Sequence, residues 1–182
     1  MKKLLYSLCL LLSLESMAQT DKGDVLIGGS LGFQTGEGSN SFNLDPNVGF
    51  FVGDNFAIGG KLSFQSSKLG SLNTSTFGLG PFARYYFGST STKPFAVTEF
   101  DFLSTSFKTN GQKTTSSGFG WLIGLGFAAF INESIAVEGV SGYNYSKFKD
   151  ADGSGGFALR FGFQVYLNRK SVSALKTNVL GN

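Results

Sequence analysis

Six charged residues carry the chemistry this chain could do: the cations Lys61, Arg84 and Arg160 and the anions Glu99, Asp101 and Glu138. Each stands in an alternating stretch, on the face opposite the bulky apolar residues. Arg160 lies between Leu159 and Phe161, and Glu99 and Asp101 flank Phe100. Three positive and three negative groups on narrow inner faces favour mutual pairing, because a charge held away from water without a partner is costly. Arg84 and Glu99, a few residues from the same turn on neighbouring segments, are the expected pair. Two roles are open to such a cluster: an ion-paired plug, or a polar path for ions or small solutes.

Catalysis is a poorer fit. Glu99 and Asp101 form a carboxylate pair on one strand face, but a narrow interior admits no polymeric substrate to them. The chain has no His, so no Ser-His or Asp-His arrangement exists. Its single Cys, Cys9, sits in an N-terminal apolar run that is expected to be removed, leaving no disulfide framework and none of the usual soft metal ligands. The stretch Lys149-Asp150-Ala151-Asp152-Gly153-Ser154 superficially resembles a calcium loop, yet its twelfth position is Phe161, where an acid is required. No enzyme activity, cofactor or metal is therefore expected. The net charge of +3 is weak and scattered, without a basic run, which argues against nucleic acid.

The elements that must position these groups are strands. In 157–167, Phe157, Leu159, Phe161, Phe163, Val165 and Leu167 share one face, while Ala158, Arg160, Gly162, Gln164 and Tyr166 share the other. That is a period of two. Similar alternation predicts strands at 24–34, 41–52, 56–65, 76–87, 95–107, 114–131 and 135–148. Shorter turns are expected at 53–55, 88–94 and 132–134, and polar loops at 35–40, 66–72, 109–112 and 149–156. Pro81 lies within the fourth strand, where a local irregularity is expected. No stretch beyond the N-terminus approaches the roughly 18 apolar residues of a membrane helix.

Alternation alone does not say which face is inside. The bulky apolar residues exceed what an eight-stranded interior holds, and the other face is dominated by Gly, Ala and Ser rather than by the Lys and Glu of a solvated surface. The apolar face therefore meets lipid, and the strands must close on themselves because lipid cannot satisfy an open edge. The expected fold is all-β: an eight-stranded antiparallel up-and-down transmembrane β-barrel. Phe87, Trp121, Tyr143 and Tyr145 are candidates for its interfacial girdles.

The first 18 residues read as a secretory signal peptide: Lys2 and Lys3, an apolar run over 4–14, and Ser16-Met17-Ala18 as the cleavage site. The barrel is expected over 24–167 and a C-terminal periplasmic tail over 168–182. With the signal, the eight segments, Gly80-Pro81-Phe82-Ala83-Arg84-Tyr85-Tyr86-Phe87 and the closing strand 157–167, the chain resembles the small outer-membrane β-barrels of Gram-negative bacteria, the OmpX/OmpA-type barrel domain. The Ala18-Gln19 junction is similar to that of the Bacteroidetes branch. The resemblance implies location in the outer membrane, lipid contact and monomeric barrels. It also implies a closing strand read by the barrel-insertion machinery, although here residues 168–182 follow where such chains commonly end. The implied role is structural or one of surface interaction, with a narrow pore as the alternative.

Overall fold

The computed structural model describes residues 20–36, 39–70, 72–109, 112–149 and 151–168. The signal peptide expected at 1–18 lies outside them, as does the tail expected at 168–182 apart from Asn168. Eight strands follow in order: β1 (Val25–Gly36), β2 (Ser39–Gly53), β3 (Phe56–Leu69), β4 (Leu72–Tyr86), β5 (Thr92–Thr109), β6 (Gln112–Phe130), β7 (Ile135–Phe148) and β8 (Ser154–Leu167). Each pairs antiparallel with the next, and β8 closes on β1. The all-β, eight-stranded up-and-down barrel expected from the alternation is the observed fold.

Closure involves a stagger. Paired residues lead from Val25 through Phe50, Ile58, Ala83, Thr98, Ile123 and Tyr143 to Phe157, yet Val25 itself faces Leu167, ten residues further along β8. Such a shear tilts the strands by about 35–45° to the barrel axis. Residues that are neighbours across the lumen are consequently far apart in any local register.

The outer face is apolar and uncovered. Phe157 is 84% exposed, Leu125 67% and Leu159 68%, with Ile27, Phe50, Leu79 and Phe102 also outward. A continuous bare surface of this kind requires an apolar surrounding. Toward the hairpins that join β1 to β2, β3 to β4 and β5 to β6, the band ends in aromatic pairs: Phe64 with Phe77 at 5.2 Å between ring centroids, and Trp121 with Tyr143 and Tyr145 at 5.9 and 5.8 Å. Beyond these rings, apart from Phe42 and Phe119, the outward positions become polar, and Lys68, Lys108, Lys113 and Lys147 are exposed. At the opposite end Tyr85 packs edge-on against Phe87 at 5.1 Å.

Two local expectations are corrected and a third takes another form. The segment 66–72, expected as a loop, is strand on both sides of a turn at Gly70, with Ser66 opposite Ser75, Ser67 opposite Thr74 and Lys68 opposite Asn73. The ladder continues above the apolar band, where both faces are polar and hydropathy gives no contrast to read. Gly70 takes the left-handed backbone (φ +58°) that lets the hairpin reverse. The 109–112 and 149–156 loops shorten similarly, since β5 runs to Thr109, β6 starts at Gln112 and β8 starts at Ser154. The irregularity expected at Pro81 is not a bulge but a gap in pairing: its register with Gly60 is unbroken, while Gly80 and Pro81 drop out of the ladder to β5, which passes from Leu79 opposite Phe102 to Phe82 opposite Glu99 without a shift. The register shift in the barrel lies instead at Phe51/Gly53, beside the turn that Asn55 closes with φ +62°.

Candidate functional site: a charged plug beneath a polar cup

The lumen differs between its two halves. In the half toward the turns that join β2 to β3, β4 to β5 and β6 to β7, large side chains fill it: Leu26, Phe51, Phe82, Tyr86, Phe95, Phe130 and Tyr166 are all buried. Inward glycines make this packing possible. Phe95 lies over Gly126, where an added Cβ would come within 2.6 Å of its Cζ and 2.7 Å of the Gly139 carbonyl oxygen. The Gly-rich inner faces, which taken alone suggest an open lumen, are here the seats of rings from neighbouring strands, Phe95 opposite Gly126 and Phe82 opposite Gly59. Gly126→Val should therefore lower unfolding stability by about 1–3 kcal/mol through overpacking. Urea midpoints of the refolded barrel in detergent check this, and an unchanged midpoint would mean that Phe95 is not seated there.

Within this half lies the first charged layer. Arg84 Nη1 donates to Glu138 Oε2 at 2.8 Å, and the Tyr166 hydroxyl donates to Glu138 Oε1 at 2.6 Å. The hydroxyls of Tyr86 and Tyr166 lie 3.0 Å apart. The guanidinium sits 5.1 Å from the ring centroid of Phe82 and 5.2 Å from that of Phe95, so its faces meet π surface while its edge meets carboxylate.

A second layer lies above it. Glu99 is its hub: Oε2 accepts from Lys61 Nζ at 2.5 Å and Oε1 from Arg160 Nη2 at 2.6 Å. Lys61 also reaches Asp101 Oδ2 at 3.0 Å. The structure thus places all six sequence-nominated residues on the lumen wall, in two layers. It overturns the expected Arg84–Glu99 pair. In the β4–β5 register Glu99 faces Phe82, whereas Arg84 faces Val97 and crosses the lumen to Glu138 on β7. The closing stagger sets which groups meet across the lumen, and adjacency of strands in sequence does not contain it.

Several participants escape sequence reasoning. Tyr86 and Tyr166 carry inward parity, Tyr86 next to Arg84 on its face and Tyr166 beyond Gln164 on the face of Arg160. Lys93 lies in a segment read as a turn, but β5 begins at Thr92 and the Lys93 ammonium donates to Thr20 Oγ1 at 2.6 Å. Asp45, on β2, accepts from Ser30 Oγ at 3.0 Å and borders both the plug and the space above it.

Between the two layers remains a void of about 20 Å³, enough for a single water. Arg84 Nε, Asn47 Oδ1 and Gln164 Oε1 border it without a protein partner, one donor and two acceptors. Above Glu99 the lumen widens into a cup of about 1000 Å³. Its wall on β3 to β5 carries Ser63, Gln65, Thr74, Thr76 and Thr105 together with Leu103 and Phe107, and opposite, on β6 and β7, stand Leu122, Asn144 and Phe148.

A closed antiparallel barrel with an apolar outer band, aromatic girdles and a charged, packed lumen defines the class of outer-membrane β-barrels. This chain belongs to the outer membrane protein beta-barrel domain family, whose model matches residues 5–170. Its location is the outer membrane. Among solved structures the chain is similar to Neisserial surface protein A (16% identity, 78% of this chain and 94% of that one, TM-score 0.58). It is also similar to the N-terminal barrel domain of Pseudomonas aeruginosa OprF (13% identity, 80% and 98%, TM-score 0.55). Ail, the attachment invasion locus protein of Yersinia pestis, is a third (13% identity, 80% and 99%, TM-score 0.51). At these identities the likeness is one of fold. Comparison with curated proteins finds no match by sequence.

Proposed function

We propose that this protein is a closed, non-enzymatic barrel of the outer membrane that acts through its structure and its hairpin-end surface rather than by conducting solutes. The observation that carries this reading is the contrast within the lumen, where about 1000 Å³ of open cup ends on two ion-paired layers with only about 20 Å³ between them. The carboxylates best placed for acid-base work, Glu99 and Asp101, are engaged by Lys61 and Arg160. The hairpin end faces outward, with both chain ends on the periplasmic side, as short turns at one end and longer strand extensions at the other suggest. Membership of the Bacteroidetes branch, a cleaved signal ending near Ala18, delivery by the barrel-insertion machinery and a monomeric state in lipid belong to the same reading. The family's pore-like alternative draws on the cup, which already opens half of the lumen.

Single-channel recording of the refolded mature protein in a planar bilayer separates the two. The expected result is silence. Reproducible conductance that changes with Glu99→Gln or Arg84→Ala would replace the plug with a small pore whose selectivity those residues set.

A further inference from the structure

Outside the barrel, beyond the aromatic band, three lysines stand in one row. The register sets Lys68 on β3 opposite Asn73 on β4, Asn73 opposite Lys108 on β5, and Lys108 opposite Lys113 on β6. All three lysines are exposed and share the outward parity of Phe64, Phe102 and Phe119 on their own strands. Lys108 and Lys113 face each other directly, about 5 Å apart at Cβ, and like charges so placed cost stability. An anion held between them would reverse the sign of that contact. The neighbouring strands supply none: β3, β4 and β6 contain no acid, and the acids of β5, Glu99 and Asp101, point into the lumen. Among the described residues no salt bridge reaches the row.

Between the lysines and the membrane the surface is layered. The next outward row is hydroxylated: Ser66 faces Ser75, Ser75 faces Ser106, and the Ser106 and Thr115 hydroxyls lie 3.1 Å apart. Below it Phe64 and Phe77 begin the apolar band. A shallow groove of about 380 Å³ opens between these rings, Phe42 and the serines. From the membrane outward the order is rings, hydroxyls, cations, which matches the acyl chain, sugar and phosphate of a phosphorylated glycolipid. Height separates such a lipid from a simple phospholipid. Lys68 lies four residues beyond Phe64, about 13 Å along the strand and about 10 Å along the barrel axis once the tilt is included. The polar layer of a phospholipid leaflet is only about 5–7 Å deep.

We propose that the outward face of β3 to β6 at the hairpin end is a docking site for a phosphorylated glycolipid of the outer leaflet. Lys108 and Lys113, with Lys68 beside them, hold a sugar phosphate; the serine row meets the sugar, and the acyl chains lie against Phe64 and Phe77. This goes beyond the closed-barrel reading and takes from it only the outward orientation of the hairpins.

The test titrates the refolded mature protein, in micelles of a zwitterionic detergent, with bisphosphorylated lipid A, a glucosamine-disaccharide lipid, and with phosphatidylglycerol. Native mass spectrometry counts the lipid retained. Lipid A should be retained at least about fivefold more than phosphatidylglycerol, and Lys108→Gln and Lys113→Gln should each lower its retention about fivefold, the worth of one lysine at an anionic surface. Lys22→Gln removes the same charge from an exposed position at the opposite end and should change nothing. Without lipid, Lys108→Gln should hold or raise the urea midpoint, because it relieves a like-charge pair; a lowered midpoint would mean that the lysine already has a structural partner. Equal retention of the two lipids, an equal loss with Lys22→Gln, or no loss with either row variant would overturn the site. Displacement of lipid A by an equal concentration of glucosamine 1-phosphate would assign the row to a soluble sugar phosphate and overturn the lipid. Micelles have no leaflets, so the result does not depend on orientation, and conductance tests the plug separately.

Discussion

Arg84→Ala should cost the barrel about 3–5 kcal/mol of unfolding free energy, the loss typical of removing one partner from a buried ion pair. The size follows from what Arg84 touches. The residue is 6% exposed, and its guanidinium bonds Glu138 at 2.8 Å and is packed between Phe82 and Phe95. Truncation leaves the Glu138 carboxylate in a closed space with only the Tyr166 hydroxyl as donor, and it unseats the two rings. Replacing both partners by apolar residues of similar size, Arg84→Met with Glu138→Leu, should recover at least half of the loss, because no charge is then left unpaired. Urea unfolding of the refolded protein, followed by the gel shift between folded and boiled forms, measures both. An Arg84→Ala midpoint equal to that of the parent would remove the plug from the account of stability.

The second large effect is expected at Glu99, and the informative comparison is with Asp101 two residues along the same face. Glu99 neutralises Lys61 and Arg160 together, at 2.5 and 2.6 Å. Glu99→Gln removes the carboxylate that Arg160 bonds and leaves Lys61 and Arg160 with Asp101 as the remaining carboxylate of the layer. A loss of about 3 kcal/mol is expected from the uncompensated buried charge. Asp101 has a single cation, Lys61, which Glu99 also holds, so Asp101→Asn should cost about 1 kcal/mol or less. Equal losses at the two positions, measured by the same urea midpoints, would show that Glu99 is not the hub.

The difference between these two acids was invisible in the alternating pattern, which places both on one face and ranks neither. Its physical content is long-range: Lys61 comes from β3, Arg160 from β8, and they meet at β5. The comparisons sharpen the class of protein without choosing among roles, since likeness at 13–16% identity reaches the backbone and not the lumen.

What the sequence determined by itself was everything that depends on period two. Phe157 to Leu167 alternates cleanly, and the other segments follow it with less regularity, because nearly every outward position is bulky and apolar while most inward ones are small, polar or charged, large rings such as Phe51, Phe82 and Phe95 being the inward exceptions. Strand number, facing and the lipid-exposed surface follow from that contrast. Where the contrast disappears the reading failed, as at Ser66, Ser67 and Lys68, whose strand is held by backbone pairing above the apolar band and leaves no mark in hydropathy. Tertiary structure alone decided which charges pair and which glycines are filled. Phe95 covers Gly126 because the β5–β6 register sets them opposite each other, and Arg84 meets Glu138 because a ten-residue stagger at closure sets the heights at which facing strands present their side chains. Shear is a property of the whole ring of pairings, and no single strand's sequence contains it.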